Sequence, residues 1–256
     1  MGVIRGALFG LAGLAFGSFL TVVVHRVPRR ESIVSPRSAC PSCGTPIGPR
    51  DNIPVVSYLL LRGRCRHCGS AISAEYPILE GLTCALFVTA GAAVQPVWVA
   101  AMIAPFLGLL LACSLIDIRH RIIPNRIVYP SLVVFAAAVV ALAVADQGVS
   151  LATAGLGFLS LGGGLLLISL VFGGMGMGDV KLGALIGLVM GALEWRYVGV
   201  AAMGGILTGG LGAVAALLMG RSRKDVIPFG PYLGGAAIVS ALWAPEIAAW
   251  YIRVLT

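Results

Sequence analysis

The chain has 256 residues, of which 59% are hydrophobic and only 11% are charged. Soluble domains contain about 45–50% apolar residues, so this composition excludes an ordinary soluble protein and predicts a membrane protein. The formal net charge of +8 does not indicate binding to nucleic acid, because the membrane explains where the basic residues lie.

Apolar runs of about 20 residues, the length that crosses a hydrocarbon core, predict an all-α fold of about eight transmembrane helices. The sixth run is short, which leaves a tilted, broken or re-entrant segment open. Arg5 precedes the first run, but that run ends in HRVPRR rather than at a small-residue cleavage site, so we interpret it as a retained helix. The runs lie at about residues 4–24, 78–95, 97–116, 127–145, 151–172, 182–193, 198–219 and 229–252.

The basic residues are divided unequally between the two sides that these eight helices define. Only Arg5, Arg196 and Arg253 fall on one side. By the positive-inside rule, the other side is cytoplasmic, and both ends of the chain lie opposite to it. The 15 cytoplasmic residues are Arg26, Arg29, Arg30, Arg37, Arg50, Arg62, Arg64, Arg66, Arg119, Arg121, Arg126, Lys181, Arg221, Arg223 and Lys224.

Residues 25–77 form the only sizeable polar region and predict a small, loop-rich cytoplasmic domain. About 50 residues bury too little apolar surface for a stable core, so such a domain usually needs a staple. Two CxxC pairs, separated by 21 residues, can present four thiolates to one tetrahedral zinc ion: Cys40, Cys43, Cys65 and Cys68. Disulfides or a redox motif are the alternatives, and a reducing cytoplasm disfavours the disulfides.

The remaining cysteines and the histidine of the second pair have simpler interpretations. His67 is interpreted as a spectator of the zinc site. Cys84 and Cys113 lie inside apolar helices, where a cysteine behaves as a small buried hydrophobe.

Two aspartates lie at the cytoplasmic boundary, where a carboxylate is costly unless something uses it. Asp117 ends the third predicted helix, and Asp179 follows the glycine-rich stretch GGMGMG at residues 173–178. Two carboxylates that share one site cannot both ionise cheaply, which yields an acid and a base from one residue type. The ionised member can activate a water against a peptide carbonyl that the protonated member polarises. The pair therefore predicts peptide hydrolysis without a covalent intermediate.

Other roles for these residues stay open at this point. Asp179 could cap the sixth helix, Asp117 could pair with Arg119 or Arg121, or both acids could relay protons or cations in a transporter. The lack of an internal repeat weakens the transporter, since many transporter folds contain one. A non-catalytic assembly factor of a pilus or secretion apparatus is a third class.

Four further residues complete the candidates around the aspartates. Gly176 and Gly178 lack a Cβ, so we expect them to let an extended substrate strand approach Asp179. Glu80, near the entry to the second helix, is a secondary functional candidate. Lys181 is interpreted as a cytoplasmic boundary anchor, because two residues along a helix it points away from Asp179.

The chain resembles bacterial type IV prepilin peptidases, which are membrane-embedded aspartic proteases. The resemblance covers nearly the whole chain, and it implies that Asp117, in a D-x6-P-N context, and Asp179, in a GxGD motif, are the catalytic residues. The four paired cysteines match those of the long bacterial form. One departure is Thr21, where many members have Asn. The motifs that carry the resemblance are GSFLTVVVHRVP, SACPSCGTPIGPRDNIPVVSYLLLRGRCRHCGSAIS, YPILEG, DIRHRIIPN, GMGMGDVKL and IPFGPYL.

The resemblance also implies substrate, cofactor and location. The substrates would be type IV prepilins or pseudopilins, whose basic leader is removed after a glycine at the cytoplasmic face of the bacterial inner membrane. The new N-terminus would then be methylated with S-adenosylmethionine, although the chain has no glycine-rich nucleotide motif of the usual kind. The expected domains are a first transmembrane helix (1–24), a structural zinc domain (25–77) and a peptidase domain (78–256).

Overall fold

The computed structural model describes residues 2–172, 175–220 and 228–255. Within these ranges it has ten α-helices, two isolated β-bridges and no longer strand, which confirms the predicted all-α class. Gly173, Gly174 and the basic residues Arg221, Arg223 and Lys224 lie outside the described residues. The helices are α1 (Val3–Arg26), α2 (Val56–Leu60), α3 (Glu75–Ala93), α4 (Val97–His120), α5 (Asn125–Val144), α6 (Leu151–Gly157), α7 (Gly163–Phe172), α8 (Met177–Leu193), α9 (Trp195–Leu218) and α10 (Gly230–Leu255).

Seven segments of the described chain are long and apolar enough to cross a membrane, so the protein is an integral membrane protein. They are α1, α3, α4, α5, the α6–α7 segment, α9 and α10. The α6–α7 segment counts once because a π-helical stretch, Phe158–Gly162, joins its two halves. The sixth predicted span, 182–193, lies inside α8, which has only 17 residues. The structure thus gives seven full-length candidates and one shorter helix where the sequence predicted about eight spans.

The chain divides into two compact units. The first comprises Met1–Ala92 with Ala104–Ala112, and the second comprises Ala93–Ile103 with Cys113–Thr256. In the first unit, α1 lies directly against α3: a Cβ built on Gly13 would be 2.8 Å from the Cα of Cys84, and one on Gly17 would be 2.8 Å from the Cα of Glu80. Small residues of this kind let membrane helices approach closely.

In the second unit, α8 is the central helix and packs against α5, α6, α7, α9 and α10. Three glycines spaced four residues apart, Gly183, Gly187 and Gly191, form a stripe along one side of it. Gly187 touches the backbone of Gly157, and Gly191 touches the backbone of Thr153, so neither position has room for a Cβ. This glycine stripe seats α8 against α6 and places its first turn, with Asp179, at one end of the unit.

Candidate active site

Asp117 lies in the last turn of α4, where only 5% of its surface is exposed. The helix ends at Arg121, which adopts a left-handed conformation and donates its backbone N–H to the Asp117 carbonyl over 2.8 Å. The carboxylate Oδ2 accepts a hydrogen bond of 3.0 Å from the backbone N–H of Gly230. Because Gly230 begins α10, its N–H has no helical acceptor and the positive end of the helix faces the carboxylate.

Asp179 occupies the first turn of α8, and its side chain is partly buried. Its backbone N–H donates to the carbonyl of Gly176, the N-cap residue, over 3.0 Å. The carboxylate bends back over the same residue, since a Cβ built on Gly176 would lie 3.4 Å from Oδ2. A negatively charged side chain in the first turn interacts favourably with the helix dipole. The Asp179 carboxylate can therefore stabilise the start of α8 and still be available for chemistry.

The structure brings the two aspartates into one neighbourhood of the second unit. Ile123 connects their surroundings: a Cβ on Gly178 would be 2.9 Å from the Ile123 Cβ, and one on Gly230 would be 3.2 Å from its Cδ1. Two helix starts and the loop after α4 therefore converge on the two carboxylates, whose catalytic role stays a prediction.

The glycines next to Asp179 differ from one another. Gly178 is partly buried and packs against Ile123, so its missing side chain admits the loop after α4. Gly176 is exposed, and the proposed contact of both with a substrate strand stays a prediction. The structure thus adds to Gly178 a packing role that the sequence did not indicate.

Lys181 links α8 to the start of α5. Its Nζ donates to the Oδ1 of Asn125 over 3.0 Å and lies 5.0 Å from the centroid of the Tyr129 ring. This contact joins the two motifs that contain the aspartates, because Asn125 is the last residue of the D-x6-P-N segment.

The four paired cysteines come together in the first unit. One sulfur from each lies within 4.8 Å of the others, so the group could hold a metal ion. The two halves have matching backbones: Cys40 N–H donates to Thr45 over 3.0 Å, and Cys65 N–H donates to Ser70 over 2.8 Å. Each half turns at a glycine with a φ of +71°, Gly44 and Gly69. All six cysteines of the chain are free thiols.

Hydrogen bonds favour the thiolate, the form that binds zinc, at Cys40 and Cys68. At Cys65 the backbone of Cys68 and of His67 also favours the thiolate, but desolvation and the sulfurs of Cys40 and Cys68 outweigh them and raise its pKa. The backbone of Cys43, the Ser70 hydroxyl and the backbone of Ser42 lower the pKa of Cys40 to about 6. The Ser70 hydroxyl also lowers the pKa of Cys68. Four soft sulfur ligands within 4.8 Å of one another fit zinc, and the donor set matches the predicted site.

Glu80 is 8% exposed and accepts a 2.7 Å hydrogen bond from the backbone N–H of Val55. Thr21, the departure from the family pattern, is also buried, and its hydroxyl donates to the Ser18 carbonyl over 2.7 Å. Both residues face the same cavity of the first unit.

Sequence reasoning missed three features of the site. The Gly230 N–H donor belongs to the motif IPFGPYL, yet a backbone donor has no residue-type signature. The other two features have signals in the sequence. Asn125 is a polar residue at the start of an apolar helix, and the stripe is the repeat GxxxGxxxG, which is typical of closely packed membrane helices.

Comparison with known proteins gives two family matches that together cover most of the chain. Residues 11–94 match the family described as Bacterial Peptidase A24 N-terminal domain, and residues 104–220 match the Type IV leader peptidase family. No solved structure matches the chain.

Curated relatives match over nearly the full length. The chain is 34% identical to a protein of Bacillus subtilis, over 94% of this chain and 96% of the relative. It is 36% identical to one of Pseudomonas aeruginosa, over 95% and 92% respectively. A relative from Aeromonas salmonicida is 31% identical over 97% and 94%. Each of the three is named prepilin leader peptidase/N-methyltransferase.

Proposed function

Since the chain belongs to the type IV leader peptidase family, we propose that Asp117 and Asp179 are the pair that performs its peptide hydrolysis. The protein is a membrane protease that removes the leader of type IV prepilins, and it also carries the N-methyltransferase activity of its relatives. Neither the structure nor the comparisons support the alternative of a proton- or cation-coupled transporter.

One observation carries the assignment. Asp179 lies in the first turn of α8, and Asp117, from the end of α4, accepts a hydrogen bond from the first residue of α10 in the same neighbourhood. In the proposed reaction the pair shares one proton. The ionised carboxylate takes a proton from water as the water oxygen attacks the scissile carbonyl carbon, and the protonated one donates to the carbonyl oxygen. When the intermediate collapses, the C–N bond breaks and the amine leaves with a proton from the pair.

The exposed Gly176 and the adjacent Gly178 are proposed to lie along the leader strand, as a bare backbone permits close approach. The prepilin or pseudopilin would present its basic leader from the cytoplasm. The positive-inside rule predicts that the membrane boundary with Asp117 and Asp179 is the cytoplasmic one. The same asymmetry supports an active site that faces the cytoplasm, and the family's substrates place it in the bacterial inner membrane in this proposal. The domain division at residues 24 and 77 is part of this proposal.

Two cofactors belong to the proposal. A zinc ion would be held by the four paired cysteines, in a structural role, because all four coordination positions are filled by the protein. S-Adenosylmethionine would be the methyl donor, as the relatives' second activity requires one.

Co-expression with a prepilin tests the proposed function directly. The wild-type protein is expected to convert the prepilin to a faster-migrating form whose N-terminal mass shows both the cleavage and one added methyl group. An unprocessed prepilin in the presence of membrane-inserted enzyme would contradict the proposal.

Gly230→Ala is expected to lower cleavage by at least about tenfold while the protein still inserts. The added Cβ would lie 2.7 Å from the Asp117 Oδ2, so it must displace the carboxylate that Gly230 orients. Gly235→Ala, in the same helix, is the matched control because nothing lies within 4 Å of its Cβ position. Initial rates of prepilin cleavage measure the effect, and equal rates for the two variants would show that the position of Asp117 is unimportant.

A further inference from the structure

The side chain of Lys181 is held against α5 by two contacts. It is partly buried, its Nζ donates to the Oδ1 of Asn125 over 3.0 Å, and the same atom lies 5.0 Å from the centroid of the Tyr129 ring. Asn125 and Tyr129 are one turn apart on α5, so they lie on the same face of that helix. A lysine that only anchors a membrane boundary needs no protein partner for its ammonium group. The two contacts therefore indicate a role beyond the boundary anchor.

Asn125 is tied to Asp117 by a short and stiff piece of chain. Only residues 121–124 separate the end of α4 from the start of α5. At one end of this link, the N–H of Arg121 bonds to the carbonyl of Asp117 over 2.8 Å. At the other end, Pro124 has a φ of −70°, which its ring restricts. The position of Asn125 therefore follows that of the helix end that carries Asp117.

Lys181 is tied as closely to Asp179. Both residues lie in the first turns of α8, which begins at Met177, and a helix advances by only about 1.5 Å per residue. Val180, between them, is buried. The hydrogen bond from Lys181 to Asn125 therefore closes a ring of chain and contacts that includes both aspartates.

Apolar packing inside this ring brings α8 and the link together but does not fix the angle between them. A Cβ on Gly178 would lie 2.9 Å from the Cβ of Ile123, and one on Gly230 would lie 3.2 Å from its Cδ1. Burial of apolar surface is non-directional, whereas a hydrogen bond weakens steeply as its angle departs from linear. The bond between Lys181 and Asn125 therefore supplies, between α8 and the link, a directional contact that the apolar packing lacks.

We propose that Lys181 and Asn125 are positioning residues for peptide cleavage: their hydrogen bond, here called the clamp, sets the separation at which the two carboxylates share one proton. The proposal rests on the proposed function of Asp117 and Asp179. Repulsion between two ionised carboxylates falls with distance, and this repulsion keeps one member protonated while the other is ionised. The clamp thus acts through the aspartates rather than on the substrate.

Rates of prepilin cleavage by the purified full chain in detergent test the clamp. Lys181→Met keeps an unbranched side chain but removes the donor, and Asn125→Leu keeps the approximate size but removes the acceptor. Each is expected to lower kcat about tenfold or more with little change in KM, because a misplacement of about 1 Å at a reacting group can cost about a hundredfold. The double variant should be about as slow as either single one, since both changes break the same bond. Asn125→Asp should stay within about threefold of the wild type, because its carboxylate accepts a charge-assisted bond from the lysine.

Two further measurements separate positioning from folding. Methylation of an already cleaved pilin needs no peptide hydrolysis, so its rate should be unchanged in Lys181→Met and Asn125→Leu. The pH range of fast cleavage should narrow in both variants, because carboxylates that are farther apart share one proton over a smaller range. Arg253→Met is the control: it removes an exposed cation in the last turn of α10, at the opposite end from Gly230, and should match the wild type in every measurement.

Four results would overturn the proposal. The first is a cleavage rate for Lys181→Met and Asn125→Leu equal to that of Arg253→Met, and the second is a pair of losses that multiply in the double variant. The third is an equal loss of cleavage and methylation in both single variants, which would make the contact a support of the whole fold. The fourth is a pH profile that is displaced without narrowing in Lys181→Met and unchanged in Asn125→Leu, which would assign the effect to the charge of the lysine.

Failure of the proposed function would look different from failure of the clamp. It would appear as wild-type protein that leaves prepilin uncut, or as normal cleavage by Asp117→Asn or Asp179→Asn. If both aspartate variants are inactive while one of the four results is observed, only the clamp is rejected.

Discussion

Asp117→Asn and Asp179→Asn are each expected to reduce cleavage of a co-expressed prepilin by about a thousandfold or more. Asparagine has nearly the shape of aspartate but cannot take a proton from water or pass one to the carbonyl oxygen, and such proton transfers contribute about 10²–10⁴-fold. Because the two carboxylates act as a unit, the double variant should be about as inactive as either single one. Gel shift of the prepilin and its N-terminal mass measure the loss.

The control for this experiment is Asp146→Asn, since Asp146 is exposed in the turn after α5. Membrane insertion of every variant should equal that of the wild type. Normal processing by either single variant would rule out the dyad. Loss of ion flux in the same variants, with cleavage unchanged, would instead support a transporter, and tolerance of both would support an assembly factor.

Cys40→Ser and Cys65→Ser are each expected to remove zinc from the protein and unfold the region between α1 and α3. This region has only the short helix α2, a 3₁₀ turn at Pro49–Asn52 and two isolated bridges as regular structure, so a bound metal would supply stability that its core cannot. Structural zinc contributes about 10–16 kcal/mol in zinc-finger peptides. The variants should therefore become sensitive to proteolysis within residues 27–74.

Metal analysis of the purified protein checks the zinc directly, with one ion expected per chain. Cys84→Ser is the control, as Cys84 lies in α3 outside the cluster. Because all four thiols must lose their protons to bind zinc, protons compete with the metal, and zinc should be released as the pH is lowered. A wild-type protein with four reactive thiols and no zinc would reject the site.

The sequence predicted which side chains meet, and the reasons are physical. Asp117 and Asp179 stood out because charge at a membrane boundary is costly, and the distribution of arginines put both at the same depth. The cysteines stood out through their spacing. Gly230 could not be found in this way, since its contribution to Asp117 is a backbone N–H that any residue type carries.

The membrane topology was predicted only in part. Hydrophobicity alone counts α8 as a span, yet the helix is shorter than α5, α9 and α10 and packs against all three as well as against α6 and α7. Its burial depends on glycines that fit the backbone of α6, a property of packing rather than of hydropathy. The cavity of the first unit was not predicted either, because its lining comes from three separated stretches of the chain.

The glycine stripe of α8 has a consequence for the alignment of the helix with its neighbours. The stripe has only three glycines, so a slip of α8 by four residues, about 6 Å at 1.5 Å per residue, would keep two of them at tight contacts and put Asp179 or Trp195 at the third. The glycines alone therefore oppose such a slip at one position only. Such a slide would carry Asp179 away from Asp117. Contacts at the two ends select one alignment: Ser150 donates its N–H to the Ala192 carbonyl over 3.0 Å at one end, and Lys181 bonds Asn125 at the other. The contact of Lys181 with Asn125 would thus help to hold Asp179, the proposed catalytic residue, in register with Asp117, a task that no single glycine in the stripe can perform.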